Sequence, residues 1–431
     1  MATSLPYQIG LTGNVASGKS TVARLWESAG VPRIDADQLA REAVAPGSEG
    51  LDRVVEWFGP EMLREDGTLD RDRMRLRIFD DDDARRELEG ILHPIISRLR
   101  EARVRSLAEE GAELVLSEIP LLFETGMEGT VDRVVVVHAS KEERLRRMTE
   151  DRGIALVGAR QVMASQGDPD EKRRKADHVL DNDGTPEELE SAALALLDRI
   201  RRDALGTMRI DLHLHTWGSW DCLSDPEAVL ERALERGIDR IAITDHNRIH
   251  VATAMAERHP DRVIAGEEVK VAEGIDLIGL YLTELIEKGT PAEECCRRIR
   301  ADGGIVHLPH PYAAGKGGSG RYAEQLAPEV EVVEGFNARL RSASANRRGV
   351  ELARRHGAPV VAGSDAHTVP EVGNGWVELA RHPSTPGALR AALPFGAIGG
   401  ERAPVHVFVA SNWAKLRKRL GWRIPEQGVG S

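Results

Sequence analysis

Cysteine is nearly absent: the 431 residues contain three, Cys222, Cys295 and Cys296. So few cannot form a disulfide framework, and the adjacent pair Cys295-Cys296 lacks the spacer residues a chelating pair needs, so these thiols read as reduced and structural. Long apolar runs are missing too. No stretch of about 18 apolar residues occurs, and the opening MATSLPYQIGLTG carries neither the basic nor the apolar region of a signal peptide, so neither membrane spanning nor export is indicated. A cytoplasmic location is expected. Positive charge is in deficit: 58 Lys and Arg against 70 Asp and Glu give a formal net charge of −12. This argues against nucleic acid or an anionic membrane as partner and leaves anionic substrates to local positive sites.

The length exceeds what one hydrophobic core usually serves, so two domains of roughly 200 residues are expected. A seam lies at Leu205–Thr216, LGTMRIDLHLHT, where a polar helix runs out and a short strand begins. Met208 has the look of an independent start, which suggests two fused domains, 1–205 and 206–431.

In the first half, Gln8-Ile9-Gly10-Leu11 reads as a buried strand and is followed at once by Gly13-Asn14-Val15-Ala16-Ser17-Gly18-Lys19-Ser20, opening a helix at Thr21. This is G-x-x-x-x-G-K-[ST] between a strand and a helix, the setting its mechanism requires. Backbone N–H groups of such a loop surround nucleotide phosphates, Lys19 reaches the β/γ oxygens, and Ser20 ligates Mg²⁺. The next strand ends in Ile34-Asp35-Ala36-Asp37, two carboxylates where open α/β sheets bind ligands; either also suits the N-cap of the following helix. Asp80 to Asp83 reads as a solvated helix start, His93-Pro94 as the beginning of another helix, and Thr185-Pro186-Glu187-Glu188 as a capping box.

With IGLTGNVASGKSTVA, DADQLAREAVAPGS, FGPEMLREDGTLDRDRM, ELEGILHPII, IPLLFETGMEGTVDRVVVVHAS and MASQGDPDEKRRKADHVLDNDGTPEEL in family order, residues 7–205 resemble dephospho-CoA kinase. The resemblance implies a P-loop kinase with a parallel sheet and a helical lid, transferring the γ-phosphoryl of ATP to the ribose 3′-hydroxyl of dephospho-CoA. It implies Asp37 as catalytic base, Asp35 as an aid to Mg²⁺, Leu121 to Glu124 beside the acceptor, and a lid at Arg144 to Arg152 with Arg147 favoured over Arg152. Asn14 and Ala16 stand where family loops commonly carry glycine, and the lid's usual Arg-Asp appears as Asp151-Arg152.

In the second half, β-rich runs alternate with helical ones: Arg209–Leu212, Arg240–Thr244, Arg262–Ala265, Ile275–Leu282, Gly304–Leu308, Val330–Gly335 and Pro359–Ala362. The alternation predicts parallel strands closed into a barrel. His213 and His215, Asp245 and His246, Glu267 and Glu268, His310, Asn337, and Asp365 and His367 all fall at or just past a strand end, where a barrel builds its active site. His213 and His215 share a face by the period of two. His, Asp and Glu without cysteine suit Zn²⁺, Mn²⁺ or Fe²⁺ in a cluster that activates water.

The motifs DLHLHT, SWDCLSDPEAVL, ITDHN, AGEEV, LPHP, EGFNAR and GSDAH give residues 208–405 a resemblance to the polymerase-and-histidinol-phosphatase (PHP) family of metal-dependent phosphoesterases. It implies a distorted (β/α)7-type barrel with His213, His215, Asp221, His246, Glu268, His310, Asp365 and His367 as metal ligands, and Asp211 and Asp245 orienting their imidazoles. Many members have a histidine after the strand Ile275–Leu282, where this chain reads Leu-Ile-Gly-Leu-Tyr281; this leaves open two metals or three, with His307 either a substitute or simply packed. Arg248 and Arg339 are candidates for gripping phosphate oxygens, or solvated arginines. The basic tail Trp413–Trp422 reads as a docked or solvated helix, the alternative being a contact with a nucleotide, a membrane surface or a partner. The whole is expected to be a bifunctional enzyme; for the second half, a small-nucleotide phosphoesterase stands against a histidinol-phosphate-type hydrolase and a metal-binding regulatory module.

Overall fold

A computed structural model describes residues 5–79, 81–164, 166–314, 317–404 and 407–420. The chain divides into two compact units, Met1–Leu196 and Leu197–Ser431, and the division falls within the helix Pro186–Leu205. Among the described residues no helix is long and apolar enough to cross a membrane.

The first unit is built on strands β1 (Tyr7–Thr12), β2 (Arg33–Asp35), β3 (Leu114–Glu118), β4 (Arg133–His138) and β5 (His178–Asp181), in the order β2-β3-β1-β4-β5. Every pairing is parallel, and near-continuous apolar runs such as Val134–Val137 are what a sheet covered on both faces demands. Asp81 caps the long helix Asp82–Glu109 by accepting from Ala84 N, while Asp80 lies outside the described residues. Pro94 does not begin a helix, as the sequence reading had it; it sits inside this one. Proline removes one N–H bond and crowds the carbonyl four residues back, at a cost of about 3 kcal/mol. Here burial of Ile91, Ile95, Val104 and Leu107 outweighs that cost, and the crowded carbonyl belongs to exposed Gly90. Before Pro186, Thr185 and Glu188 exchange the two bonds of a capping box.

The second unit carries β6 (Thr207–Leu214), β7 (Arg240–Ile243), β8 (Val263–Lys270), β9 (Asp276–Leu280), β10 (Ile305–Leu308), β11 (Val332–Asn337), β12 (Val360–Gly363), β13 (Gly375–Ala380) and β14 (Ala397–Gly400). Neighbours pair in the order β12-β11-β10-β9-β8-β7-β6-β13-β14. The ring from β6 to β12 closes where Leu214 bridges Ala366, His215 N donating to Ala366 O and Asp365 N to His213 O. Its interior is filled by one apolar residue or more from each strand, among them Ile210, Ala242, Ile264, Ile278, Ile305, Val332 and Val361.

The expectation of parallel strands throughout is corrected here. β9 runs antiparallel to both β8 and β10, because β8 and β9 form a hairpin with no helical crossover. Two further strands, not expected from the sequence, extend the sheet beyond β6: β13 pairs antiparallel with β6, and β14 antiparallel with β13. A register shift between Asp211 and Leu214 bends the end of β6, the usual device by which a strand re-aims side chains beside a site.

Away from that end, His382 is buried, with Nδ1 2.7 Å from Ala380 O, Nε2 3.4 Å from Arg240 Nη1, and its carbonyl accepting from Arg240 Nη2. Burial, outweighing the bond to Ala380 and helped by Arg240 and Arg201, pushes its pKa down to about 3. Its depressed pKa means that the unfolded chain takes up a proton the folded one refuses, so stability is lost as pH falls below the unfolded value of about 6.5. At pH 5 this amounts to about 2 kcal/mol, which His382→Asn should remove from the wild-type difference between pH 7 and pH 5 in denaturant titrations. An identical pH difference in the variant would show that His382 is not the titrating group.

Candidate active sites

The loop after β1 is held by backbone conformation and by a belt of side chains. Gly18 (φ 98°) precedes the helix Lys19–Ser28, in a conformation that favours glycine. Ala16 keeps φ 62°, so at this glycine-to-alanine departure the loop retains a left-handed residue and bears its strain. Asn14 Nδ2 donates to Gly167 O and Val15 N to Gln166 Oε1. Arg144 binds Val15 O at 2.9 Å, and Arg147 reaches Ala16 O at 3.3 Å and Asn182 O at 2.8 Å. Asn182 in turn donates to Ser17 O at 2.7 Å. Arg147 thus touches the loop directly, whereas Arg152 is exposed.

Lys19 Nζ and Ser20 Oγ both lie 3.0 Å from Glu118 Oε1 at the end of β3, and Arg33 pairs with the other carboxylate oxygen at 2.5 Å. Burial opposes the charge on Glu118, but Lys19, Arg33 and the Ser20 hydroxyl outweigh it and hold the carboxyl below its usual range. Glu118 escaped the sequence reading because its partners are nearly 100 residues away; the signal was an acid ending a buried strand, LVLSE. Ser20 and Glu118 form the all-oxygen pair that suits Mg²⁺. Asp35 is otherwise engaged, capping the helix Ala36–Glu42 through Asp37 N and Gln38 N and pairing with Arg33 at 2.9 Å. Asp37 stands exposed in that helix's first turn. Of the acceptor segment, Leu121 is exposed, Leu122 is buried, and Glu124 pairs with Lys172 at 2.7 Å.

At the barrel mouth the structure brings together all the residues named as ligands. His213, His310 and Asp365 form one group whose ligand atoms lie within 4.8 Å of one another, His215, His246 and His367 a second, and His213, His215 and Glu268 a third. Asp221 Oδ2 lies 3.3 Å from His367 Nε2 and 3.8 Å from His246 Nε2. A fourth group joins Glu268 and His310 to Asp276. The sequence reading missed Asp276 because it searched the carboxyl end of a strand taken as parallel; β9 is reversed, so its amino end meets the mouth. Among the described residues His307 joins no such group: its ring stands edge-on to that of His213, 6.3 Å away, and burial pushes its pKa down to about 4.

Hydrogen bonds fix which nitrogen of His213, His215 and His367 faces inward. Glu334 accepts from His213 Nδ1 at 3.0 Å. The Ser219 hydroxyl donates to Asp245 Oδ1 and accepts from His246 N and from His215 Nδ1, at 3.1 Å for the last. His367 Nδ1 donates to Asp365 O at 2.9 Å. With both rings neutral, the Nε2 lone pairs of His213 and His215 face each other at 3.3 Å and neither can donate; with no cation between them, the buried carboxylates favour a proton on His213 instead. Glu268 Oε2, buried and without a hydrogen bond, lies 2.9 Å from His246 Nδ1, 3.4 Å from His215 Nε2 and 3.6 Å from His213 Nε2. Converging lone pairs and an orphaned carboxylate oxygen are what a divalent cation satisfies, so the donor set fits a nitrogen- and oxygen-ligated metal. His310 (φ 27°) and Asp365 (φ 51°) hold left-handed backbone, strain of about 1–3 kcal/mol each that active sites commonly store.

The dephospho-CoA kinase family matches residues 7–188, the PHP domain 211–345 and the PHP-associated region 343–398. The dephospho-CoA kinase of Geobacter metallireducens is 47% identical over 188 residues, which span 44% of this chain and 94% of that one. That of Listeria monocytogenes is 44% identical, over 44% of this chain and 96% of its own length. The chain belongs to the dephospho-CoA kinase family. Its second half carries a PHP domain. Among solved structures, TT1252 from Thermus thermophilus is 38% identical, covering 46% of this chain and 99% of its own, with a TM-score of 0.41.

Within the PHP domain, burial holds His215 neutral, its pKa down to about 3 with His367 and His246 adding to the effect. For His213 burial acts in the same direction, but Glu334 and Asp365 overcome it and raise the pKa well above the usual value. Glu267 points away from the cluster and accepts from Ile286 N at 3.0 Å. Asp211 does not touch an imidazole, as was expected of it; it accepts from the backbone N–H groups of His213, Ser364 and Gly373 and so fixes the ends of β6 and β12. Asp245 reaches His215 only through Ser219. Of the arginines, Arg339 pairs with Glu371 at 3.0 Å and Arg248 is exposed. The three thiols are free and buried, and burial pushes Cys222 and Cys295 up to about 12 and Cys296 up to about 11.

Glu334, also absent from the sequence reading, fixes the His213 tautomer. Glu334→Gln should lower metal affinity about 10- to 100-fold, as loss of such a partner typically does, read by chelator competition with metal analysis. Unchanged affinity would assign the orientation of His213 to packing alone.

Proposed function

We propose that the chain is a bifunctional cytoplasmic enzyme: residues 1–205 phosphorylate the ribose 3′-hydroxyl of dephospho-CoA with ATP, and residues 206–431 hydrolyse a phosphate ester, a small nucleotide in our reading. The observation that carries the first activity is the phosphate loop with Lys19 and Ser20 gathered at Glu118, in a chain of this family. On nucleotide binding, Lys19 would exchange Glu118 for the β/γ oxygens, leaving Glu118 and Ser20 to face Mg²⁺. Asp37 would take the proton of the 3′-hydroxyl as its oxygen bonds to the γ-phosphorus and ADP departs. Arg147, seated against Ala16 O, would neutralise charge on the transferring group.

The second activity is supported by the ring of imidazoles and carboxylates with inward lone pairs. His213, His215, Asp221, His246, Glu268, His310, Asp365 and His367 would hold divalent cations such as Zn²⁺, Mn²⁺ or Fe²⁺, with Asp276 as a further oxygen donor. Such ions activate water and screen the leaving oxygen of a phosphate ester. Glu334 and Ser219 orient His213 and His215, and Asp211 keeps β6 and β12 in register. The preference for a nucleotide rests on the neighbouring kinase, whose product carries a 3′-phosphate; a histidinol-phosphate-type substrate or a purely regulatory metal site are the alternatives.

Lys19→Ala and Asp37→Asn should each reduce CoA formation at least 100-fold, as loss of a group acting on the transferring phosphoryl does, while leaving phosphate-ester hydrolysis intact. Asp365→Asn should do the converse, measured as metal-dependent phosphate release across nucleoside 3′- and 5′-phosphates, 3′,5′-bisphosphates and histidinol phosphate. Retained CoA synthesis in the first pair, or silence of the metal-loaded wild type over the whole panel, would sink the corresponding activity. CoA itself should be a poor substrate for hydrolysis, since removing its 3′-phosphate would run the two halves as a futile ATPase. Steady CoA-dependent ATP consumption by the intact chain would overturn this.

A further inference from the structure

The basic segment near the carboxyl end forms a helix, Val407–Arg419, lying beyond the residues matched by either PHP-related family. Trp422 and the rest of 421–431 fall outside the described residues. Val407 and Ala414 are buried, so the helix is packed against its own domain. Lys418 Nζ donates to Trp217 O at 2.6 Å and also to Ser219 O. Those carbonyls belong to the loop that supplies Ser219 to His215 and Asp221 to the cluster. Three residues before Lys418, on the same side of the helix, Lys415 places Nζ 3.8 Å from Asp221 Oδ2 and 4.9 Å from the centre of the Trp220 ring.

We propose that this helix completes the phosphoesterase site and that Lys415 is the cation that receives the substrate's phosphate there, an inference that rests on the phosphoesterase reading of the domain. The argument is one of charge. The cluster is rich in carboxylates, and a dianionic ester must approach it past the cations at its rim, of which Arg339 is paired with Glu371 and Lys270 with Asp276, while Arg248 is exposed. Two ammonium groups reach cluster residues, and Lys415 is the more loosely held, 3.8 Å from Asp221 against 2.7 Å between Lys270 and Asp276, with its side chain 35% exposed. When Asp221 turns its charge to a metal, the Lys415 N–H groups lose that partner while Lys418 still anchors the helix and the Trp220 face still holds the Lys415 side chain at the rim. A phosphoryl oxygen is an acceptor of the right charge to replace the carboxylate. An ordinary exposed ion pair would not need a second lysine anchoring its helix to the ligand-bearing loop.

The test uses the full-length, metal-loaded protein and inorganic phosphate as probe, followed by calorimetry, with metal content and steady-state hydrolysis measured in parallel. Lys415→Gln should weaken phosphate binding at least about tenfold, the scale of one hydrogen bond to a charged group, and raise KM by a similar factor with kcat and metal content little changed. Lys415→Arg should restore binding to within about twofold, because it keeps the charge and donors. Lys418→Gln, which frees the helix, should follow Lys415→Gln, whereas Arg419→Gln, at an exposed position, should bind as wild type does and so control for net charge. Unaltered phosphate affinity in Lys415→Gln would overturn the proposal, and so would tighter binding with a raised kcat, which would make the helix an inhibitory cover. Wild-type turnover combined with an unaffected Lys415→Gln sinks this inference alone. A metal-loaded wild type that neither hydrolyses esters nor binds phosphate sinks the phosphoesterase reading beneath it as well.

Discussion

Buried carboxylates need cationic partners, and in the second domain that need shapes much of the surrounding structure. Glu268 lies 1% exposed with Oε2 facing three imidazole nitrogens and no hydrogen bond to any of them. An isolated charge so placed would be prohibitively costly. The arrangement persists because every neighbour is constrained: Glu334 and Ser219 turn the lone pairs of His213 and His215 inward, Asp211 pins the backbone beneath them, and His310 and Asp365 accept left-handed conformations to present their side chains. Strain and polar burial in one place, without a cation, would be a defect; together with imidazole nitrogens and carboxylate oxygens converging on the same space they describe a site built for metal.

The kinase domain meets the same problem with the signs exchanged. Its loop gathers cationic and N–H groups for an anion, and here the buried acid is the minor partner: Glu118 keeps Lys19, Ser20 and Arg33 together in a preformed cluster. The loop itself tolerates Ala16 at a positive φ because Arg144, Arg147, Gln166 and Asn182 clamp the backbone on both sides of it. A glycine would adopt that conformation without strain; the belt of side chains substitutes external restraint for intrinsic freedom.

Which features were legible in the sequence follows from how local their causes are. The phosphate loop is contiguous, so its strand, turn and helix announced themselves, and histidines at strand ends carried the mouth of the barrel because strand ends can be read from short apolar runs. Asp276 was hidden by chain direction: nothing in Ile275–Leu282 reveals that β9 runs backwards, and only the hairpin with β8 does. Glu334 was hidden because its partner lies 121 residues away, and Glu118 for the same reason, whereas Ser219 is only four residues past His215 and was hidden because a lone serine carries no motif. Pro94 misled because local steric preference was read without the apolar face that carries the helix past it.

The tail shows why net charge leaves the binding of a small anion to local positive groups, as the composition implies. A formal charge of −12 predicts repulsion of anions by the chain as a whole, yet over a Debye length of about 8 Å what a phosphate meets is local. Lys415 and Lys418 lie some 200 residues from the loop they touch, and only folding puts their charge beside Asp221. Net charge thus limits which large polyanions a chain attracts, but the placement of single ammonium groups decides where a small one is held. In this chain Lys19 and Lys415, the one beside Glu118 and the other beside Asp221, both sit on helices at the edge of a site, so local positive charge is present where the net charge is negative.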